Sequence, residues 1–363
     1  MIKLSEQQTK VFDEIMKWHQ TPKKTFVLAG YAGAGKTTLA KYIANAIGNT
    51  HFCAYTGKAA NVLREKGCSN ATTIHGAIYR MVGDEDDFGE NLNAQPKFVL
   101  NEDSDIKKAR LVIVDEYSML SNEIIEDLLS LSKKVLFLGD PFQLPPVDGE
   151  CDLKPDTFIT EVHRQALDSP IIRYATDVRE GRALSYCNEG TFMFAPRSKI
   201  PSQTYYNADQ IIVGYNKTRN AWNDRFRKKL GYSGVFPQKG EKLICLRNNH
   251  EIGLFNGMID IASKNSKHID ADSCEISFGD YKDIKIWSGD FKRVKPQPKH
   301  TRHLDRFDFG YVITCHKSQG SEFDNVIVYN EPIGREKIDR QRWLYTAITR
   351  AKEKCILIDP RGR

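Results

Sequence analysis

The sequence contains no stretch approaching the roughly 18 consecutive apolar residues of a membrane-spanning helix, and its start, MIKLSEQQTK, lacks the pattern of a secretory signal. It also lacks low-complexity tracts and any repeat with a period of about 20 to 50 residues. A content of 40% hydrophobic and 28% charged residues excludes wholesale disorder. At about 150 residues per domain, a chain of 363 residues predicts two to three folded domains and no membrane association.

Closely spaced cysteines are absent as well, because the eight cysteines stand singly, without a Cys-x-x-Cys pair. A zinc ribbon needs such pairs, so no zinc site is predicted. Single cysteines are typical of reduced, buried thiols in a cytoplasmic protein. No further cluster of acidic, His or Cys residues appears outside the motifs below, which disfavours a nuclease.

The excess of positive charge is small, with 53 Lys and Arg against 47 Asp and Glu. A net charge of +6 excludes a histone-like polycation but suits a protein that approaches phosphates. Residues 290–306 carry six bases and two acids, whereas residues 84–90 carry five acids and no base. Each run taken alone is equally well explained as a solvated loop.

Short apolar runs alternate with helical patterns along the chain. Runs this apolar predict strands covered on both faces, which is typical of a parallel α/β sheet. The predicted strands are 25–30, 51–56, 110–116, 134–140, 209–216, 324–329 and 354–359. Ser5 and Gln8 have the spacing of a capping box, which predicts an opening helix over residues 5–19.

This α/β pattern occurs twice, and each half is interrupted, so the sequence predicts two parallel-sheet domains, each with an insertion. The first insertion is polar and is expected to be a small hairpin, and the second has short alternating segments typical of a small β-barrel. The predicted divisions are 1–78 with 106–156 for the first domain, 79–105 for its insertion, 157–235 with 308–363 for the second domain, and 236–307 for its insertion.

Residues 30–37, GYAGAGKT, match G-x-x-x-x-G-K-[ST] between a predicted strand and a predicted helix. The glycines let backbone N–H groups close around phosphate oxygens at the start of the helix. Lys36 is expected to reach the β- and γ-phosphates, and Thr37 to bind Mg²⁺. The residues predicted to bind ATP here are Gly30, Gly33, Ala34, Gly35, Lys36, Thr37 and Thr38.

Two further strands end in polar residues that suit the same chemistry. Asp115 and Glu116 end LVIVDE, where Asp115 is expected to hold Mg²⁺ and Glu116 to polarise the attacking water. Gln143 follows the strand in KVLFLGDPFQLPPV and is placed to sense the γ-phosphate, the less favoured alternative being a tight Gly-Asp-Pro turn stiffened by Pro145 and Pro146. Together these motifs predict an ATP-hydrolysing enzyme that uses Mg²⁺.

The order and spacing of the motifs resemble the superfamily 1B helicases of the RecD/Dda type over almost the whole chain. The resemblance implies two RecA-like motor domains with ATP in the cleft between them. It is carried by LSEQQ (4–8), AYTGKAANVL (54–63), TTIHGA (72–77), VIVDEYSML (112–120), GDPFQLPPV (139–147), VHRQ (162–165), HKSQGSEF (316–323) and YTAITRAK (345–352).

The resemblance also implies roles for residues outside the phosphate loop. Gln8 would recognise adenine, Glu322 would contact the ribose, and Arg164 and Arg350 would complete the site from the second domain. A cation that arrives only when the cleft closes would stabilise charge on the γ-phosphoryl group. The alternatives are a solvated acid for Glu322 and ordinary ion-pair or surface roles for the two arginines.

A single nucleic-acid strand is held by phosphate contacts and by stacking of its bases on aromatic rings. Polar residues suited to that task lie after a predicted strand of the first domain and in the matching motif of the second. They are Thr56, Gly57, Lys58, His75, His316, Lys317 and Ser318. For each one, an ordinary satisfied or solvated polar residue is the alternative, and no ligand spacing makes either histidine a metal ligand.

Both insertions have counterparts in the resembling family. Residues 79–105 occupy the place of the pin that splits the duplex, where Phe98 is favoured over Phe88 as the stacking residue and the acidic run puts a complete pin in doubt. Residues 236–307 resemble the family's SH3-like subdomain. There Asn248, Asn249 and Asn256 are equally expected as strand contacts and as turn formers.

The sequence thus predicts an ATP-dependent DNA helicase that moves 5′→3′ on single-stranded DNA and opens forked or tailed duplexes, the polarity resting wholly on the resemblance. A monomer in the cytoplasm is expected, in a bacterial host if the gene is a phage's, with replication or recombination as its setting and a single-strand-binding protein as a partner by analogy. A translocase or an RNA helicase of the same superfamily is an alternative, because phosphate contacts do not distinguish the sugars. A nucleotide-gated strand-binding protein that opens no duplex, such as a recombination mediator, is another.

Overall fold

A computed structural model describes residues 4–82, 97–146, 149–160, 169–249, 252–294 and 296–362. The helices are α1 (Glu6–His19), α2 (Lys36–Ile47), α3 (Gly57–Glu65), α4 (Ile74–Ile78), α5 (Asn122–Leu131), α6 (Pro170–Arg179), α7 (Ser202–Tyr206), α8 (Asn216–Lys229), α9 (Cys315–Ser318) and α10 (Lys337–Ile348). The strands are β1 (Thr25–Gly30), β2 (Thr50–Ala54), β3 (Thr72–Thr73), β4 (Tyr79–Val82), β5 (Lys97–Leu100), β6 (Leu111–Asp115), β7 (Val135–Gly139), β8 (Thr157–Ile159), β9 (Cys187–Asn188), β10 (Phe192–Pro196), β11 (Gln210–Val213), β12 (Lys242–Cys245), β13 (Ile259–Ile261), β14 (Lys267–His268), β15 (Ser273–Phe278), β16 (Tyr281–Trp287), β17 (Phe307–Phe309), β18 (Val312–Thr314), β19 (Phe323–Tyr329) and β20 (Ala351–Asp359).

The first lobe, formed by β1 to β3, β6 to β8 and α1 to α5, is built on a six-stranded sheet in the order β3-β2-β6-β7-β1-β8. All neighbouring strands run parallel. One face is covered by α1 and α2, whose Val11, Ile15 and Ile43 are buried, and the other by α4 and α5. The central strands are therefore buried on both faces, which confirms the predicted parallel-sheet core.

Helix α1 begins with the predicted capping box. The Ser5 hydroxyl accepts a hydrogen bond from the Gln8 backbone N–H at 3.3 Å, and the Ser5 N–H donates to Gln8 Oε1 at 3.0 Å. These contacts satisfy N–H groups that a helix start otherwise leaves without partners. They also fix Gln8 on the buried side of the first turn, where it is 2% exposed.

The second lobe, formed by β9 to β11, β18 to β20, α6 to α8, α9 and α10, has a six-stranded sheet in the order β18-β11-β19-β20-β10-β9. Only the edge strand β9 runs antiparallel to its neighbour. Helices α6 and α10 pack on one face and α8 on the other, with Trp343 and Trp222 among the buried residues. All seven apolar runs predicted as strands form strands in these two sheets.

Two smaller β units interrupt the lobes. Strands β4 and β5 pair antiparallel, with Tyr79 opposite Leu100. Strands β12, β13 and β17 form one three-stranded antiparallel sheet, and β14, β15 and β16 form a second. The two three-stranded sheets share one core that includes Phe278, Phe307 and Phe309.

A buried ion pair joins this core to the second lobe. Arg227 of α8 donates from Nε to Glu241 Oε1 at 2.6 Å and from Nη2 to Glu241 Oε2 at 3.0 Å. Such a bidentate pair fixes orientation as well as distance. The insertion is therefore held rigidly to α8 at its root.

All eight cysteines are free thiols, and six of them are buried. Among the helices within the described ranges, none combines the length and hydrophobicity of a membrane span.

Candidate nucleotide and strand-binding sites

The loop from Gly30 to Thr37 connects β1 to α2. Glycine is required at its different positions for different physical reasons. Gly33 and Gly35 adopt φ values of 79° and 73°, a left-handed conformation that glycine reaches at little cost. At Gly30 a Cβ would lie 3.1 Å from the Ile159 carbonyl oxygen. The glycines thus permit the tight turn of the loop and its close packing against β8, directly before the N-terminus of α2, where anions bind favourably.

Lys36 lies over this loop. Its Nζ donates to the carbonyl oxygens of Gly30 at 2.6 Å and Tyr31 at 3.0 Å. The positive charge is therefore held within the loop, where the β- and γ-phosphates of a nucleotide are expected.

The predicted acidic pair lies beside the loop. Thr37 Oγ1 donates to Asp115 Oδ2 at 3.4 Å, so the two candidate Mg²⁺ ligands are adjacent. Glu116 has φ 59° and ψ 47°, a left-handed conformation that is unfavourable for a residue with a side chain. Its backbone N–H donates to Asp115 Oδ1 at 3.0 Å, which helps to hold this strained turn.

Burial dominates the electrostatics of the pair. It raises the pKa of Asp115, with Lys36 acting in the opposite direction. It also raises the pKa of Glu116 to about 7, opposed by Arg350 and reinforced by the charge of Asp115. A carboxyl group that titrates near neutral pH is well matched to accepting a proton from water.

Gln143 bridges the two lobes. In the amide orientation that pairs donors with acceptors, its nitrogen donates to Glu116 Oε2 at 3.2 Å and its oxygen accepts from Arg350 Nη2 at 3.3 Å. Arg350 is 4% exposed and also donates from Nε to the Thr346 carbonyl oxygen at 3.0 Å. The structure therefore brings together three residues that the sequence predicted separately, whereas Arg164 lies outside the described residues.

The two predicted base and ribose contacts differ in their surroundings. The Gln8 side chain donates from Nε2 to the Ala34 carbonyl oxygen at 3.3 Å, which ties α1 to the phosphate loop. Glu322 is exposed, and its charge acts on Lys352. Both roles stay predictions.

In the first lobe, the candidate strand contacts surround the start of α3. The Thr56 hydroxyl caps this helix, accepting from the Ala59 N–H at 3.2 Å. Lys58 Nζ lies 4.4 Å from the centroid of the Phe323 ring, and burial lowers the pKa of Lys58 to about 8. His75 lies close to two aromatic rings, with centroid distances of 6.2 Å to Tyr55 and 5.6 Å to Tyr79.

In the second lobe, Lys317 and His316 are largely buried, which lowers the pKa of each. Lys317 Nζ donates to Asn256 Oδ1 of the insertion at 3.0 Å. Ser318 is fully buried, and its hydroxyl donates to the Cys315 carbonyl oxygen at 2.7 Å. In this arrangement the hydroxyl faces its own helical turn and not the surface on which a nucleic-acid strand would bind.

These two sets of residues adjoin each other. At Gly320, a Cβ would lie 3.0 Å from Thr56 Oγ1 and 3.2 Å from Ala59 Cβ. The candidate strand contacts of the two lobes therefore adjoin at Gly320, and we call the combined set the track. Of the three asparagines, Asn256 reaches this track through Lys317, whereas Asn248 and Asn249 hold turns of the insertion.

The insertion also contributes Phe255, which sequence reasoning missed. Its ring packs on Gly57, because a Cβ at residue 57 would lie 1.9 Å from Phe255 Cγ. Gly57 is thus needed to admit an aromatic ring from a distant part of the chain. The nearest sequence signal was the turn-rich segment around Asn256.

The Gly57→Ala variant tests this contact. Alanine favours a helix start over glycine by up to about 1 kcal/mol, yet we expect a net loss of about 1 to 3 kcal/mol in the free energy of unfolding, because Phe255 must move. Urea denaturation measures it. Adding Phe255→Ala to Gly57→Ala should recover part of the loss, and an unchanged or more stable single variant would contradict the packing.

The fold and the site together define a two-lobed P-loop protein whose phosphate loop and acidic pair in one lobe meet a buried arginine of the other. The AAA domain family model matches residues 3–193, more than half of the chain, and the UvrD-like helicase C-terminal domain matches residues 309–358. The chain belongs to the superfamily 1B helicases of the RecD/Dda type.

Two curated relatives are named as ATP-dependent DNA helicases. The chain is 27% identical, over 97% of its length, to the ATP-dependent RecD2 DNA helicase of Deinococcus radiodurans, of which it covers 48%. It is 32% identical, over 49% of its length, to the ATP-dependent DNA helicase dda of Enterobacteria phage T4, of which it covers 43%. The chain therefore spans less than half the length of these relatives.

Solved structures of Pif1 helicases share the fold. A structure of two Pif1 helicases at forked double-stranded DNA has a TM-score of 0.61 at 20% identity, covering 98% of this chain and 92% of the other. Pif1 from Bacteroides in complex with ADP-AlF3 and single-stranded DNA has a TM-score of 0.58 at 18% identity, covering 99% and 93%. At these identities the likeness concerns the fold alone.

Proposed function

We propose that this protein is an ATP-dependent DNA helicase that moves 5′→3′ on single-stranded DNA and opens duplex DNA. The observation that carries the proposal is the contact chain from Glu116 through Gln143 to Arg350, which divides the hydrolysis machinery between two lobes. Hydrolysis at such a site can be coupled to movement of one lobe against the other. The named activities of the RecD2 and Dda relatives support DNA as the substrate, and the polarity follows the family.

The residues present fit Mg²⁺, which prefers oxygen ligands. Thr37 Oγ1 and Asp115 Oδ2 would hold the ion. When bound, it would neutralise charge on the phosphates of ATP.

The chain's own residues supply the rest of the chemistry. Lys36 would bind the β- and γ-phosphates, and Glu116 would accept a proton from the attacking water. Gln143 would position that water between the base and Arg350. Arg350 would stabilise the charge that develops on the γ-phosphoryl oxygens.

The strand would lie along the track formed by the candidate contacts of both lobes. Lys58 is suited to bind phosphate. Its burial and the nearby positive charges of Lys242 and Lys352 disfavour the protonated ammonium form, and a phosphate anion beside it would stabilise that form. His75 lies among rings on which bases could stack. The same contacts would bind forked or tailed duplexes through their single-stranded part.

We propose domain divisions that follow the sheets, with 1–78 and 106–156 in the first motor domain and 157–235 and 308–363 in the second. Residues 236–307, whose two antiparallel sheets share one core, would be the SH3-like subdomain. The antiparallel pair β4 and β5 would be the base of the pin in 79–105. Phe98 lies in β5, and Phe88, together with the acidic run 84–90, lies outside the described residues.

The Lys36→Ala variant tests the ATPase part of the proposal. We expect it to abolish both basal and single-strand-stimulated ATP hydrolysis, because the cation at the phosphates is lost, while the wild-type protein is stimulated by single-stranded DNA. Lys41→Ala is a matched control on the same helix, since Lys41 Nζ donates to the Lys66 carbonyl oxygen instead. Unchanged hydrolysis in Lys36→Ala would refute the assignment.

A further inference from the structure

The hydroxyl of Tyr345 joins the two lobes at the phosphate loop. Tyr345 lies on α10 of the second lobe, and its hydroxyl oxygen accepts a hydrogen bond from the backbone N–H of Ala32, inside the loop, at 3.1 Å. The same hydroxyl donates to Asp140 Oδ2, directly after β7, at 2.5 Å. Both side chains are buried, with Tyr345 1% exposed and Asp140 0% exposed.

The direction of these hydrogen bonds follows from charge. Burial raises the pKa of Tyr345 well above its usual value, and the nearby charge of Asp140 acts in the same direction. The hydroxyl therefore keeps its proton, which it donates to the carboxylate, while a lone pair accepts from the loop amide. Removing the hydroxyl would leave a buried N–H and a buried carboxylate oxygen each without this partner, which is costly in a low-dielectric interior.

The segment that contains Gln143 is hydrogen-bonded to the second lobe next to Tyr345. The N–H of Leu144 donates to Thr346 Oγ1 at 3.0 Å, and its carbonyl oxygen accepts from Gln319 Nε2 at 3.0 Å. The Phe142 ring meets the Tyr345 ring edge to face, with centroids 5.4 Å apart. Gln143 is thus flanked on both sides by contacts to the second lobe.

The end of α10 therefore contacts three parts of the hydrolysis site at once. Tyr345 contacts the phosphate loop, Thr346 contacts the segment of Gln143, and Arg350 lies two residues beyond the end of the helix. One rigid helix end thus fixes the position of the loop amide relative to Gln143 and the arginine. Small displacements at such a site have large effects on rate.

We propose that Tyr345 is a positioning residue for ATP hydrolysis, whose hydroxyl seats the end of α10 on the phosphate loop and thereby places Gln143 and Arg350. This inference rests on the proposed function and adds to it a residue that does not touch the reacting atoms. Because the Ala32 amide belongs to the phosphate loop, the same contact links the state of that loop to the interface between the lobes.

The Tyr345→Phe variant tests the inference, since it removes one oxygen and keeps the ring. We expect the kcat of single-strand-stimulated ATP hydrolysis to fall about tenfold or more, from the loss of two buried hydrogen bonds, while the dissociation constant for ADP changes by less than about threefold. Tyr205→Phe is the matched control, because Tyr205 is also buried in the second lobe and its hydroxyl has no hydrogen-bond partner among the residues that the structure describes. It should leave kcat unchanged.

The Asp140→Ala variant supplies a second, independent measurement. If both side chains act through one contact, kcat of the double variant will equal that of the slower single variant, whereas independent losses multiply. Wild-type kcat in Tyr345→Phe, or multiplying losses in the double variant, would overturn the inference. A wild-type protein without strand-stimulated hydrolysis would instead overturn the proposed function and this inference with it.

Discussion

Replacing Arg350 with alanine is expected to lower the kcat of single-strand-stimulated ATP hydrolysis about a thousandfold, the scale on which an arginine that contacts a transferring phosphoryl group acts. The guanidinium is buried and hydrogen-bonded to Gln143, which in turn contacts Glu116. It is therefore positioned by the same contacts that position the candidate base. The dissociation constant for ADP should change little, because the phosphate loop and Lys36 belong to the other lobe.

Two further variants make this result specific to the arginine. Arg350→Lys keeps the charge but not the planar fork of donors, so it should recover only part of the lost rate. Arg340→Ala removes an arginine within α10, the helix that precedes Arg350; its Nη1 donates to the carbonyl oxygen of Arg335 at 2.9 Å, and the variant should leave kcat within about twofold of wild type. A kcat of Arg350→Ala within twofold of wild type would contradict the assigned role.

The Glu116→Gln variant is expected to lose about 10² to 10⁴-fold in kcat, because the amide cannot accept the proton of the attacking water. In the wild-type protein, burial places the pKa of Glu116 at about 7, so the carboxylate form becomes scarce as the pH falls below that value. The kcat of the wild-type protein should therefore decrease as pH falls through about 7. A flat profile between pH 6 and about 8 would contradict a base with this pKa.

The same substitution should stabilise the fold. The folded-state pKa of Glu116 lies above the ordinary value of 4.5, so the folded protein binds this proton more tightly than the unfolded chain does. The associated stability is fully present below pH 4.5 and is lost as the pH rises to about 7. At pH 8 the glutamine variant should accordingly be more stable than wild type by about 1 to 3 kcal/mol, with little difference at pH 4.

Urea denaturation at the two pH values measures this effect. Glu126→Gln on the exposed side of α5 is the matched control, because a surface substitution of this kind should leave the free energy of unfolding within about 0.5 kcal/mol of wild type. Equal free energies of unfolding for Glu116→Gln and wild type at both pH values would show that the ionised, buried Glu116 does not destabilise the fold.

The sequence allowed the sheets to be predicted where strands are long and apolar, because burial on both faces leaves a continuous hydrophobic run. Strands such as β6 and β19 were found in this way. The short edge strands β3 and β9, of two residues each, carry too few residues for a pattern and were missed. Strand order also lay beyond the sequence, since it depends on which runs pair and not on their composition.

The nucleotide site was predictable because its residues are local to motifs. Lys36 and Thr37 follow from the glycine pattern, and Asp115 from the end of a buried strand. The left-handed backbone of Glu116 carried no signal, because nothing in its residue type requires a positive φ. The strain is visible only in the folded chain.

The contacts that could not be predicted from the sequence join residues that lie far apart in the chain. Tyr345 contacts Asp140 and Ala32, which lie 205 and 313 positions away in sequence, so no local pattern could connect them. Phe255 was missed for the same reason, since only the fold brings the insertion to Gly57. Ser318 shows the converse, because its type and motif suggested a strand contact while the fold turns its hydroxyl inward.

The most direct test of the helicase proposal is ATP-dependent unwinding of two partial duplexes that differ only in carrying a 5′ or a 3′ single-stranded DNA tail, with Lys36→Ala as the inactive control. Opening of the 5′-tailed duplex alone, and only by the wild-type protein, is the predicted result. Opening of the 3′-tailed duplex alone would contradict the polarity. Opening of neither, with ATP hydrolysis still stimulated by the single strand, would contradict the helicase assignment and identify a translocase or a nucleotide-gated strand-binding protein.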